Sequence, residues 1–259
     1  DQILAIEGGV ANNVVCARVR ARLKPQACSP EALRKALASR PVTFEVDRSA
    51  AGLNVEVRGT AAHASTPQLG VNAIGELMAA LKEAGVRDDF VDFYCQRIGT
   101  AADGAGCGCA MADEYGALTF NNGVIREENG MIRGTIDIRF PVTMNSQQVI
   151  QSLNQTLAGE QRGTITVRSA VEPLFFPPDS PLVSKLLEAY QEVTHDMQSR
   201  PITMGGGTYA KGIHNCIAFG CEFEGEDCHI HDANEFVRVQ CLLDQAEIYV
   251  HALIKLLEV

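Results

Sequence analysis

The chain has 259 residues, of which 46% are apolar and 21% charged, with a formal net charge of −10. A chain this apolar offsets the entropy of ordering itself, so disorder is excluded, and the length suffices for one large domain or two ordinary ones. No apolar run reaches the 18 residues of a membrane span and no cluster of Lys and Arg stands out, so neither a membrane nor nucleic acid is an expected partner.

The chain opens at Asp1 without Met and goes straight into a strand pattern, which reads as a chain beginning partway through a fold. Residues 2–7 and 14–23 read as strands joined by a turn over Gly8 to Asn13. Ser29-Pro30-Glu31 is a helix start, with Ser at the N-cap and Pro at the first position. That helix runs to about Ser39, and Arg40-Pro41 ends it. Val42 to Asp47 and Leu53 to Arg58 are the next strands. In the second, Leu53, Val55 and Val57 alternate with polar residues, so one face is buried. Gly52 lies between them, where a hairpin turn belongs.

A small-residue loop, Gly59 to Pro67, carries His63 and leads into a helix over about 71–84. Its apolar positions Ile74, Leu77, Met78 and Leu81 fall on one face, and Gly85 caps it. Residues 87–98 read as helical. Residues 99–110 read as a flexible loop rich in Gly, Ala and Cys. Strands 116–126 and 131–140 form a second hairpin across Asn129-Gly130, a strong turn signal. Residues 145–158 read as an amphipathic helix, and Thr164 to Ala170 as a strand. Hairpins mixed with helices predict an α+β domain over 1–168, an antiparallel sheet with helices on one face.

Four prolines between Pro173 and Pro181 mark a boundary. Beyond it a helix over 180–194, strands at Arg200–Met204 and Cys216–Gly220, and a helix over 235–258 alternate as in α/β folds. Residues 169–259 are therefore expected to form a separate α/β segment.

Nine cysteines, an odd number scattered through a chain of ordinary size, read as reduced thiols of a cytoplasmic protein. Cys107-Gly108-Cys109 has no second pair with which to build a structural zinc site. The Gly205-Gly206-Gly207 run lacks the spacing of phosphate-binding loops. It suits either a tight turn or a backbone that a ligand approaches closely. His231 stands among acids, four residues before Glu235, in a setting suited to a metal ligand.

Taken together these segments resemble the M20 family of metallopeptidases, and within it the PepV or Xaa-His dipeptidase (carnosinase-like) branch. Gly59 to Pro67, followed by Gly70-Val71-Asn72, looks like the family's lid-domain histidine motif. Asp137-Ile138-Arg139-Phe140-Pro141 resembles the strand leaving the lid. Met204 to Ala210 is similar to the glycine-rich motif, and Asn215 to Gly220 with His231 and Ala233-Asn234-Glu235 to the segment of the last metal ligand. Glu7-Gly8-Gly9 and Asn12-Asn13-Val14-Val15 resemble the approach to the lid.

The resemblance implies a lid domain followed by an incomplete α/β zinc-peptidase catalytic domain. It implies hydrolysis of a dipeptide with two Zn²⁺ ions bridged by an Asp and a water, which polarise the carbonyl and lower the water pKa. It makes His231 a zinc ligand and His63 the stabiliser of the oxyanion. Asn13 and Arg139 hold the substrate, and Gly206 offers it backbone. Lys211 stands where the family has Arg and lacks that residue's bidentate fork for a carboxylate.

The family's remaining metal ligands, a His-x-Asp pair, a bridging Asp and a Glu-Glu pair among them, have no counterpart here. Glu127-Glu128 reads as turn residues. With one ligand, His231, no dinuclear site assembles from this chain alone, which is then expected to be inactive without a missing N-terminal half. Two other readings stay open: an M20-type amidohydrolase or aminoacylase, and a non-catalytic module that forms homo-oligomers through the lid sheet.

Overall fold

The computed structural model describes residues 2–220, 223, 225, 228 and 234–257. It divides into two units, one ending at Pro173 and the other starting at Leu174.

The first unit is built on a six-stranded sheet. Its strands are β1 (Ile3–Gly8), β2 (Arg18–Leu23), β3 (Thr43–Ser49), β4 (Gly52–Arg58), β7 (Thr119–Glu128) and β8 (Met131–Arg139), in the spatial order β3-β4-β2-β1-β7-β8. Every ladder is antiparallel. A two-stranded ribbon, β5 (Ala112–Asp113) with β6 (Gly116–Ala117), stands apart from it. The alternation seen in the sequence holds. Val19, Ala21 and Leu23 of β2 and Leu53, Val55 and Val57 of β4 are buried, while Arg18, Arg20 and Arg22 face outward.

Helices α1 (Pro30–Ala38), α2 (Ala73–Glu83), α3 (Asp89–Arg97) and α4 (Ser146–Thr156) cover the apolar face. Each starts on a side-chain cap that satisfies first-turn amides. Ser29 Oγ accepts from the Ala32 N–H, Asn72 Oδ1 from Ile74 and Asp88 from Phe90 and Val91. Asn145 and Gln148 form a reciprocal capping box. The main core gathers Leu33 and Leu37 of α1 with Ile74, Leu77, Met78 and Leu81 of α2 against the sheet. A second core joins Val149 and Leu153 of α4 to Phe120, Cys107 and Cys109.

Several expectations need correction. The strand expected from residue 14 starts at Arg18, because residues 13–15 bond to the His63 loop instead. Gly52 opens β4, and Ala50-Ala51 makes the turn. The 99–110 loop packs rather than dangles. A 3-10 turn over Ala105–Cys107, flanked by Gly104 and Gly108 at positive φ, turns both thiols inward. Thr164 to Ala170 joins no ladder.

The second unit contains α5 (Pro181–Thr194), a 3-10 turn (Tyr209–Gly212) and α6 (Val239–Leu256). The two helices pack through Leu186, Ala189 and Ala252, with Ile217 and Phe219 against them. Arg200–Met204 and Cys216–Gly220, read as strands, join no ladder, and no strand occurs among the described residues of this unit. An apolar run satisfies its backbone as a strand only when a neighbour pairs with it. Across the described helices, none is long and apolar enough to cross a membrane.

Candidate functional site

His63 lies in the connection between β4 and α2, and backbone pairing fixes that connection on two sides. Thr60 and Val71 exchange both of their backbone bonds, at 3.0 and 2.9 Å. Gly59 permits the approach: a Cβ there would stand 2.0 Å from the Val71 oxygen. On the other side the Val15 N–H donates to the Ala62 carbonyl at 2.8 Å and the Ala64 N–H to the Asn13 carbonyl at 2.9 Å, which sets Val14 opposite His63. His63 and Asn13 are therefore neighbours on adjoining segments, both exposed.

The ring of His63 is oriented locally. The Ser65 N–H donates to Nδ1 at 3.3 Å, and Ser65 Oγ lies 2.6 Å from the same nitrogen. An N–H can only donate, so Nδ1 is the acceptor and the neutral ring carries its proton on Nε2. Such a ring presents Nε2–H as a donor.

Beneath the Asn13 segment lie two buried asparagines of β7 that sequence reasoning passed over. Asn121 donates from Nδ2 to the carbonyls of Asn12 (3.2 Å) and Val14 (3.0 Å). Asn72, the cap of α2, donates to the Asn122 carbonyl at 2.9 Å and to Asn121 Oδ1 at 3.4 Å. The available signal was a pair of strand-averse residues in the middle of a strand.

Arg139, at the end of β8, pairs opposite Thr119, and Asp137 opposite Asn121. Directly opposed residues project to one face, so Arg139, Asp137 and Asn121 share a face of the β7/β8 hairpin. The Arg139 guanidinium grips Asp137 with Nε to Oδ1 at 2.9 Å and Nη2 to Oδ2 at 3.1 Å. Asp137 thus engages two of the guanidinium's donors.

Gly206 and Lys211 belong to the second unit. Gly206 is exposed, and a Cβ on it would meet only Met204 Sδ, at 3.9 Å. Neither Gly206 nor Gly207 has a positive φ, so a left-handed turn position does not account for them. Lys211 is exposed within the 3-10 turn. His231 lies outside the described residues. Among the described residues no three or more His, Cys, Asp and Glu side chains are placed to hold a metal ion. They do not by themselves fit the metal pair that the resemblance implies.

Residues 47–164 match the model of the M20 peptidase dimerisation domain. Residues 1–46 precede the match, yet β1 and β2 stand in the middle of the sheet, between β4 and β7. Three staphylococcal proteins named "Putative dipeptidase" are similar to this chain. The Staphylococcus haemolyticus protein is 30% identical over 209 residues, 79% of this chain and 44% of its own length. Those of Staphylococcus epidermidis and Staphylococcus aureus USA300 are each 29% identical, over 78% and 79% of this chain and 44% of their own lengths. This chain spans less than half the length of these relatives.

The fold and the match define a peptidase lid, or dimerisation, domain. Together with the relatives they support an M20 dipeptidase-like lid or dimerisation domain. Peptidases of this family are generally metal-dependent.

Proposed function

We propose that the chain is the lid, residues 1–168, and the C-terminal catalytic segment, residues 169–259, of a cytoplasmic zinc-dependent dipeptidase. In this reading His63 donates Nε2–H to the oxyanion formed as the peptide carbonyl is attacked, where a preorganised donor acts on developing charge. Asn13 binds the substrate beside it. Arg139 takes the substrate carboxylate, and Gly206 and Lys211 are assigned to substrate binding. His231 is a zinc ligand, and the other ligands come from an N-terminal half. Turnover is assigned to the longer protein, and this chain alone is inactive. The presence of a dimerisation domain suggests homo-oligomers, for which the lid sheet is the proposed surface.

The observation that carries the reading is the fixed setting of His63: Val14 backs it, Asn13 adjoins it, and Ser65 holds its ring with Nδ1 as acceptor. The test is His63→Ala in the full-length protein. Loss of one oxyanion donor lowers kcat by about 10²–10³-fold, with KM little changed. An unchanged kcat removes the role. Chelation followed by metal add-back tests zinc, and recovery with another ion but not with zinc would replace it.

A further inference from the structure

We infer that Asn121 is a positioning residue for the Asn13–His63 pair, an inference that rests on the role proposed above for those two residues. Asn121 is 1% exposed, and each of its side-chain polar atoms has a partner. Its Nδ2 has two hydrogens, and they go to the two carbonyls that flank Asn13, those of Asn12 and Val14. The peptide bearing Asn13 is thus held at both ends by one side chain.

The hold continues to His63. The Asn13 carbonyl accepts from Ala64, and the Val15 N–H reaches Ala62, so the clamped segment serves as a one-sided template for residues 62–64. It also continues to the helix layer, because Asn121 Oδ1 accepts from Asn72, which caps α2. The loop lies so close to β7 that a Cβ at Gly123 would stand 2.4 Å from the Asn12 oxygen. Arg126 fixes the loop's near end by donating to the Gly8 carbonyl and, at 2.8 Å, to that of Gly9. A buried amide with its donors and acceptor all engaged rigidifies what it touches, and what Asn121 touches is the backbone on which the two candidate site residues stand.

Amide hydrogen exchange on the chain, comparing the wild type with Asn121→Leu, tests this. Leu keeps the volume and removes both donors. The Val15 and Ala64 amides are expected to exchange about tenfold faster or more, as a local opening. Val19 and Val55, in the β2/β4 ladder, keep their protection. Unchanged exchange at Val15 and Ala64 overturns the inference, as does an equal loss at Val19 and Val55, which would make Asn121 a general fold residue. If Asn121→Leu does not fold, Asn121→Ser, which keeps one hydroxyl donor, is read by the same criterion.

In the full-length protein Asn121→Ser should lower kcat, and adding it to His63→Ala should cost nothing further, because residues acting as a unit are not additive. A further loss on the His63→Ala background overturns the inference. A His63→Ala variant with normal kcat defeats the catalytic reading of His63 instead, and the exchange result still decides the clamp.

Discussion

Tyr94 donates its hydroxyl to the amide oxygen of Asn122 across 3.1 Å, joining α3 to β7 within the core. The Asn122 Nδ2 in turn donates across the irregularity in the β7/β8 register between Asn122 and Val124, to the carbonyls of Val124 (3.0 Å) and Thr135 (2.8 Å), the facing pair on its far side. This one side chain thereby holds the bulge in place. Burial pushes the Tyr94 hydroxyl well above its ordinary pKa, so it stays a donor at any physiological pH. Tyr94→Phe leaves the Asn122 oxygen buried without that donor, at an expected cost of about 1–3 kcal/mol. Urea unfolding followed by circular dichroism checks it: the midpoint falls and the slope stays as in the wild type. An unchanged midpoint would mean the bond contributes nothing net.

The elements that were legible in the sequence are those whose signals are local. Ser29-Pro30 starts α1 and Asn72 starts α2, because a cap acts on amides two or three residues away. Asn129-Gly130 turns the second hairpin, and both residues have positive φ, as a primed turn requires. Signals that depend on a distant partner failed. Val14 and Val15 carry the side chains of a strand, yet their backbone serves the His63 loop. Thr164–Ala170, Arg200–Met204 and Cys216–Gly220 are apolar enough for strands but join no ladder. His63 was legible as a motif residue. Asn121 was not, because its importance comes from two carbonyls more than a hundred residues away in sequence.

Glu56 on the outer face of β4 receives Arg18 through a two-pronged contact at 2.9 and 2.8 Å, and also Arg20 at 2.5 Å and Arg58. Hydrogen bonds from Arg18 first, then Arg20, hold its carboxyl down at about 2. A folded-state pKa depressed below the unfolded value of about 4.3 stabilises the fold above that value. The contribution disappears as pH falls through about 2. The arginines are largely exposed, so solvent screens the network, and Glu56→Gln should cost about 1 kcal/mol at pH 7. Measured across the pH range, the difference between wild type and variant should shrink between about pH 5 and 2. A difference that stays constant would assign the effect to packing rather than charge.

Cys107 and Cys109 are fully buried against Phe120, Val149 and Leu153. Their thiols donate to the carbonyls of Arg97 (3.3 Å) and Cys107 (3.4 Å). Burial raises both to about 11. At pH 8 that leaves a thiolate fraction of about one in a thousand, and the thiolate is the reactive form. Iodoacetamide applied to the native chain is expected to leave both unmodified, and to label them once urea unfolds the first unit. Peptide mass spectrometry distinguishes the sites. Labelling of native Cys107 or Cys109 as fast as that of half-buried Cys28 would show that the turn opens readily.

Gly123 and Gly130 separate two reasons for a glycine. At Gly123 the φ angle is ordinary, but a Cβ would stand 2.4 Å from the Asn12 oxygen and 2.6 Å from that of Ala11. Both obstacles are backbone, and the Asn12 carbonyl is also held by Asn121, so neither yields cheaply. At Gly130 nothing lies within 4 Å of a Cβ, but φ is +79°. Gly130→Ala therefore bears only the left-handed strain of about 1–2 kcal/mol. Gly123→Ala bears overpacking of about 1–3 kcal/mol and must also lift the 11–14 segment from β7. Both should lower the unfolding midpoint, but only Gly123→Ala should speed exchange of the Val15 and Ala64 amides beside His63. If Gly130→Ala speeds them equally, the His63 loop responds to the stability of the whole sheet rather than to its contact with Gly123.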